Sequence, residues 1–116
     1  MEKKPELCRV DDALSILVGK WKPIILLHLL QKGTLRFSEL KRSLPGITQK
    51  MLTNQLRELE EEDIISRKVY PQVPPKVEYS ITKYGKTLEP ILEAMHEWGT
   101  KHTLHKKNKV NSKASS

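Results

Sequence analysis

The sequence predicts an α+β fold: a winged helix-turn-helix, mostly helical, with a small two- to three-stranded wing sheet. Three observations carry this. Residues 38–44 and 48–62 read as helices joined by the tight turn Pro45-Gly46. Two stretches of strand character follow, residues 64–70 and 76–81. Between them lies Pro71-Gln72-Val73-Pro74-Pro75. Proline cannot donate to a β-ladder, so these residues mark a stiff hairpin tip, the wing.

Each element has its own reason. Residues 10–18 form a first helix, with Ala13, Leu14, Leu17 and Val18 at helical spacing. Asp11 and Asp12 sit in its first turn, where the helix dipole favours acids. Gly19 ends it. Residues 21–31 are nearly all apolar, so this second helix is buried on most sides, and Gly33 stops it. Residues 35–37 form a short extended piece. Phe37, Leu40 and Leu44 are in register on the third helix. Thr48 caps the fourth, because its hydroxyl can satisfy a free backbone N–H. Leu52, Leu56 and Leu59 then form the apolar stripe. Val77, Tyr79 and Ile81 alternate on the second wing strand. Thr82 caps a long last helix whose apolar face is Leu88, Ile91, Leu92, Met95 and Trp98. Pro90 falls inside that helix and should kink or break it. From residue 101 the chain turns polar and lysine-rich and is expected to fray. Residues 1–100 are thus expected to form one domain and residues 101–116 a disordered tail.

A chain of 116 residues suits one domain. A domain of this size buries roughly two-thirds of its unfolded surface, enough for a core of its own. The net charge of +7 suggests an anionic partner. However, Lys101, Lys106, Lys107, Lys109 and Lys113 carry five of those charges, in a tail without acids. A nucleic-acid argument must therefore rest on where the other charges sit. No stretch approaches the roughly 18 apolar residues of a membrane span. The expectation is a soluble, cytoplasmic protein without a membrane partner. The single cysteine, Cys8, excludes an intrachain disulfide and agrees with a reducing compartment.

Residues 46–63 have uneven chemistry. They begin with amides, hydroxyls and a lysine, and they end in five acids within six residues. At about 100° per residue, Leu52, Leu56 and Leu59 point into the domain. Lys50, Thr53, Asn54 and Arg57 point the opposite way, with Thr48 and Gln49 near the start. Arg and Lys read guanine edges, and Asn and Gln read adenine edges, in a DNA major groove. A recognition helix enters that groove by its N-terminal part. Its C-terminal part leaves the duplex, so Glu58, Glu60, Glu61 and Glu62 cost little there. One polar helix face is more often simply solvated; the preceding helix, the turn and the hairpin favour the groove. Arg36, Arg67, Lys68, Pro74, Pro75 and Lys76 would form the wing and its flanks, touching phosphates or the minor groove.

Further motifs run through most of the chain. They are Cys8 with Ala13-Leu14, then Gly19-Lys20-Trp21, then Gly33 with Arg36-Phe37-x-Glu39-Leu40. Next come Gly46-Ile47-Thr48-x-Lys50-Met51-Leu52 and Leu56-x-x-Leu59-Glu60. The most specific is Val69-Tyr70-Pro71-x-Val73-Pro74-Pro75-Lys76-Val77-Glu78-Tyr79, followed by Thr82-x-x-Gly85 and Trp98-Gly99. Together they resemble the HxlR-type winged-helix transcription regulators, relatives of the MarR-like proteins. The resemblance implies a homodimer on a pseudo-palindromic double-stranded DNA operator; the leading expectation is a sequence-specific DNA-binding regulator, a repressor rather than an activator. It implies dimer contacts through the first and last helices, here Leu14, Leu88, Ile91, Leu92, Met95 and Trp98. The family usually has glycine where this chain has Asp63, a position that needs a left-handed backbone. The lysine-rich tail is outside the family pattern.

The resemblance also marks Cys8, because in several relatives the matching cysteine senses oxidants or electrophiles. Arg9 and the nearby helix start favour the thiolate; Asp11 and Asp12 oppose it. With no second cysteine, a bridge between two copies, a mixed disulfide or alkylation remains, and the alternative is a small buried hydrophobe. An oxidant or a small molecule is the candidate inducer. His96, His102 and His105 match no zinc spacing, so no metal is expected. Trp21 and Trp98 read as core or interface anchors, with a ligand pocket between helices as the alternative. No cofactor is called for. No nucleophile–base pair or glycine-rich phosphate loop suggests an enzyme. The competing reading is a winged helix used for protein or RNA contacts.

Overall fold

The computed structural model describes residues 5–17 and 19–114, with side chains over residues 9–17 and 19–111. Among the described residues, five α-helices, three strands and one 3-10 turn follow in the order α1 (Pro5–Leu17), α2 (Trp21–Lys32), β1 (Leu35–Arg36), α3 (Phe37–Ser43), α4 (Gln49–Glu61), β2 (Ile65–Tyr70), β3 (Lys76–Ile81), the turn Gly85–Leu88, and α5 (Glu89–Ala114). Each boundary after Gly19 follows local chemistry. Gly33 ends α2 at φ 82°, and its N–H bonds the Leu29 carbonyl at 2.8 Å. That left-handed geometry costs glycine little. The Arg36 N–H donates to Glu39 Oε1 at 2.8 Å, tying down the start of α3. Gly46 turns the chain at φ 91° between α3 and α4. Thr48 Oγ1 accepts from the Met51 N–H at 3.1 Å and caps α4, as its sequence position predicts.

The end of α4 explains Asp63. Its N–H bonds the Glu60 carbonyl, and the Ile64 N–H bonds the Leu59 carbonyl, both at 3.0 Å. This paired closure needs a left-handed residue, and Asp63 sits at φ 61°. Ile64 follows buried, as such closures favour. Asp tolerates this conformation better than most residues, though less well than glycine. Asp63→Gly is therefore expected to raise unfolding free energy by about 0.5 kcal/mol, the relief of strain being partly offset by a freer unfolded chain. Urea denaturation checks this; a lowered midpoint would contradict it.

The sheet is antiparallel, in the order β1-β3-β2. Leu35 pairs with Tyr79, and Arg67 pairs with Tyr79 from the other side. Alternation thus puts Leu35, Ile65, Val77, Tyr79 and Ile81 on the inner face. The core gathers Ile25, Leu26, Leu29, Leu40, Leu44, Leu52, Leu56, Leu59 and Leu92 around them. Thr82 locks the wing to the 3-10 turn. Its hydroxyl donates to the Asp63 carbonyl at 2.6 Å and accepts from the Gly85 N–H at 2.8 Å.

The structure departs from the sequence expectations in four places. First, α1 begins at Pro5, not residue 10; proline is preset for a first helical turn. Val18 lies outside the described residues. Second, the break expected at Pro90 falls just ahead of it. The 3-10 turn ends at Leu88, and Pro90 occupies the first turn of α5, where a missing N–H costs nothing. Third, residues 101–114 continue α5 as helix. No glycine or proline interrupts them, and lysine is a good helix former. Fourth, Leu92 is 1% exposed and belongs to the protomer's own core, while Leu88 is half-buried against it. Leu92 faces inward on the side of α5 that packs on α2, and Leu88 packs against the core from the end of the 3-10 turn.

Candidate nucleic-acid interface

The α4 face builds from the cap outward. Burial of Leu52, Leu56 and Leu59 fixes the rotation of the helix. Gln49, Lys50, Asn54 and Arg57 then project into solvent, and Thr53 is half-buried beside them. Thr48 is exposed, with its hydroxyl spent on the cap. Among the described residues, no hydrogen bond or ion pair holds Gln49, Lys50, Thr53, Asn54 or Arg57. Their polar groups are free for a partner.

The acidic half of the helix is anchored to the domain. Glu58 meets Lys22 of α2 at 3.5 Å, and Glu60 meets Arg67 of β2 at 3.4 Å. The Lys22 side chain is only 13% exposed, so that pair is partly shielded from solvent. The two pairs hold α4 against α2 and against the wing. The chemical asymmetry along α4 separates a free N-terminal face from a fastened C-terminal one.

Arg67, expected among the wing's DNA contacts, lies on the sheet face of Ile65 and Tyr79 and meets Glu60, with its side chain 47% exposed. Strand alternation alone forces this, since Ile65 points inward. The outer face carries Arg36, Lys68, Tyr70, Lys76 and Glu78. Lys68 pairs across the ladder with Glu78, and Tyr70 with Lys76. The Lys68 and Lys76 ammonium groups lie 4.9 and 4.7 Å from the Tyr70 ring centroid. Such cation–π contacts orient long side chains. Lys76 also meets Glu78 at 3.4 Å. The Tyr70 hydroxyl bonds the Glu78 carboxylate and, with Lys76 and Arg36, holds its pKa below the usual carboxylate value, while desolvation pulls the other way. Tyr70 and Glu78 were missed as organisers of the wing; the cross-strand register was the signal that could have found them. On the inner face, burial pushes the Tyr79 hydroxyl pKa up, with Arg67 opposing. Pro74 and Pro75 are exposed at the tip.

Away from this surface, Leu14, Ile91, Met95 and Trp98 are exposed, Trp98 at 65%. Val10 joins Leu14 on α1. Trp98 stacks on His102 at 4.9 Å between ring centroids, and His102 lies 6.4 Å from His105. Trp21 packs against the core. Among the described residues, no three His, Cys, Asp or Glu side chains could hold a metal ion. Cys8 falls within α1, but its side chain lies outside the described residues. No single helix among the described residues is long and apolar enough to cross a membrane.

Residues 16–107 match the family model described as HxlR-like helix-turn-helix. The "Uncharacterized HTH-type transcriptional regulator YtcD" of Bacillus subtilis (strain 168) is 55% identical over 102 residues, 88% of this chain and 80% of that protein. The redox regulator HypR in its reduced form superimposes with a TM-score of 0.79 at 53% identity, over 82% of this chain and 93% of that one. The reduced transcriptional regulator YodB from B. subtilis gives a TM-score of 0.69 at 35% identity, over 84% of this chain and 91% of that one. These relatives are regulators rather than enzymes. The winged helix-turn-helix order, the capped α4 and this match over most of its length place the chain in the HxlR-like helix-turn-helix family, as a transcriptional regulator of the HxlR and MarR-like type.

Proposed function

We propose that the protein is a sequence-specific double-stranded DNA-binding repressor acting as a homodimer on a pseudo-palindromic operator. The observation that carries this reading is the free polar face of α4, held on a helix that is capped at one end and salt-bridged at the other. Gln49, Lys50, Thr53, Asn54 and Arg57 supply the base-edge donors and acceptors of a major-groove helix. Arg36, Lys68, Lys76 and the Pro74-Pro75 tip supply flanking phosphate or minor-groove contacts. The protein- or RNA-contact reading leaned on the acids of α4. Two of them are now accounted for by Lys22 and Arg67.

The dimer would form through α1 and α5, on which Val10 and Leu14, and Ile91, Met95 and Trp98, are large apolar side chains left exposed. Large aromatic residues dominate such interfaces. Trp98→Ala is expected to weaken self-association by about 2 kcal/mol, read by sedimentation across a dilution series. An unchanged dissociation constant would exclude Trp98 from the interface.

Cys8 is the candidate oxidant sensor. The similar proteins HypR and YodB support this, the first as a redox regulator and the second through its diamide-treated form. Two Cys8 thiolates from two copies would lose two electrons to diamide and form one intermolecular disulfide. Operator affinity by fluorescence anisotropy, with and without diamide, tests both levels of the proposal. Diamide-sensitive binding that becomes insensitive in Cys8→Ser supports the sensor. Binding unaffected by diamide removes it, and absence of any operator binding removes the repressor.

A further inference from the structure

Between α2 and α5 lies a cavity of about 400 Å³ that the proposed DNA surface does not use. Its volume is in the range of small-molecule sites. Ile24, Leu27 and Leu30 of α2 give it an apolar wall. Glu89, Glu93 and Glu97 of α5 give it an acidic one. Spacing of four residues stacks these carboxylates along one helix face. The remaining lining residues are His28, Gln31 and His96, so neither lysine nor arginine is present.

Two facts set this wall apart. The chain has 21 Lys and Arg against 14 Asp and Glu. Three of its other glutamates are ion-paired, Glu58 with Lys22, Glu60 with Arg67 and Glu78 with Lys76. Among the described residues, no ion pair involves Glu89, Glu93 or Glu97. His28 Nδ1, beside the cavity, is buried with no hydrogen-bond partner. That nitrogen is closed off from the cavity, so it takes no part in holding a ligand there.

We infer that this cavity binds a small organic cation with an apolar body, of the arylalkylamine kind. The body packs on Ile24, Leu27 and Leu30, and the ammonium group lies against the carboxylates of α5. A metal ion does not fit, because no three candidate ligands converge. An aromatic acid would meet three like charges. The cavity's place gives the ligand a regulatory role, which rests on the repressor reading. Its α2 wall belongs to the helix that holds α4 through Lys22, and its α5 wall to the helix proposed for dimer contacts. A ligand seated there bears on both.

Isothermal calorimetry of the full chain at low salt, with phenylbutylamine, phenylbutanol and phenylbutyrate, tests the site. One amine per chain is expected, bound about tenfold more tightly than the alcohol, with the acid weaker still. Glu93→Gln combined with Glu97→Gln should weaken the amine about tenfold and leave the alcohol unchanged. Both substitutions are on exposed helix positions, so the fold should persist. Equal affinity for the three compounds, no saturable amine binding, or an unchanged double variant would overturn the proposal. Anisotropy with an operator, without amine, tests the repressor reading separately, so the two failures are distinguishable.

Discussion

Gly85→Ala should destabilise the protein by about 3 kcal/mol, although it adds a single methyl group. A Cβ at this position would overlap the Ile64 carbonyl oxygen, and would meet the Ile64 carbonyl carbon and Ile81 Cγ2 at 3.0 Å. The first of these is backbone and cannot rotate away. The same carbonyl accepts from the Thr82 N–H at 3.0 Å and from the Thr82 hydroxyl at 3.1 Å. Making room would pull the 3-10 turn off the end of β3 and loosen the lock between wing and α5. Gly99→Ala is the internal control. Nothing lies within 4 Å of its Cβ, so in mid-helix it should stabilise by about 0.5–1 kcal/mol. Thermal melts read both signs. Equal melting temperatures for Gly85→Ala and the parent chain would show that the close approach is not there.

The second large effect is on DNA. Asn54→Ala and Arg57→Ala should each weaken specific operator binding by roughly 1–3 kcal/mol, if each reads a base edge. Both side chains are exposed and unpaired in the free protein, so neither replacement breaks an internal bond. Stability should hold within about 0.5 kcal/mol. Lys68→Ala should act differently. A phosphate contact weakens all sequences alike and lowers the salt slope by about 1. Anisotropy on operator and scrambled duplexes, at several salt concentrations, separates the two kinds of contact. Unchanged operator affinity in Asn54→Ala and Arg57→Ala would remove α4 from base readout.

What the sequence made legible were features with a local cause. Gly33 and Gly46 stop or turn the chain because the backbone there has positive φ. Thr48 caps because a helix begins at the next residue, and Leu52, Leu56 and Leu59 bury because their spacing matches that helix. The family motif placed Asp63 correctly as a left-handed position. Features that needed a partner element were not legible. On α5, periodicity merges two neighbouring faces. Leu92 is buried in the core and Leu88, at the end of the 3-10 turn, packs against it, while Ile91, Met95 and Trp98 face solvent, and only the packing separates them. Arg67 reads as a free wing cation until the register with Tyr79 turns it toward Glu60. The same register assembles Lys68, Tyr70, Lys76 and Glu78, which are scattered in the sequence. The helical course of residues 101–114 was obscured by composition, because lysine-rich segments read as solvated tails whether or not the backbone is helical.

The central claim is that the free face of α4 reads a DNA sequence. Selection of fragmented genomic DNA by the purified, reduced protein tests it most directly, run beside the Asn54→Ala, Arg57→Ala double variant. The expected result is enrichment of a short inverted repeat with half-sites about 10 base pairs apart, or a multiple of that, near a few genes. The double variant should lose it. No enriched site, or the same site enriched equally by the double variant, would contradict the account.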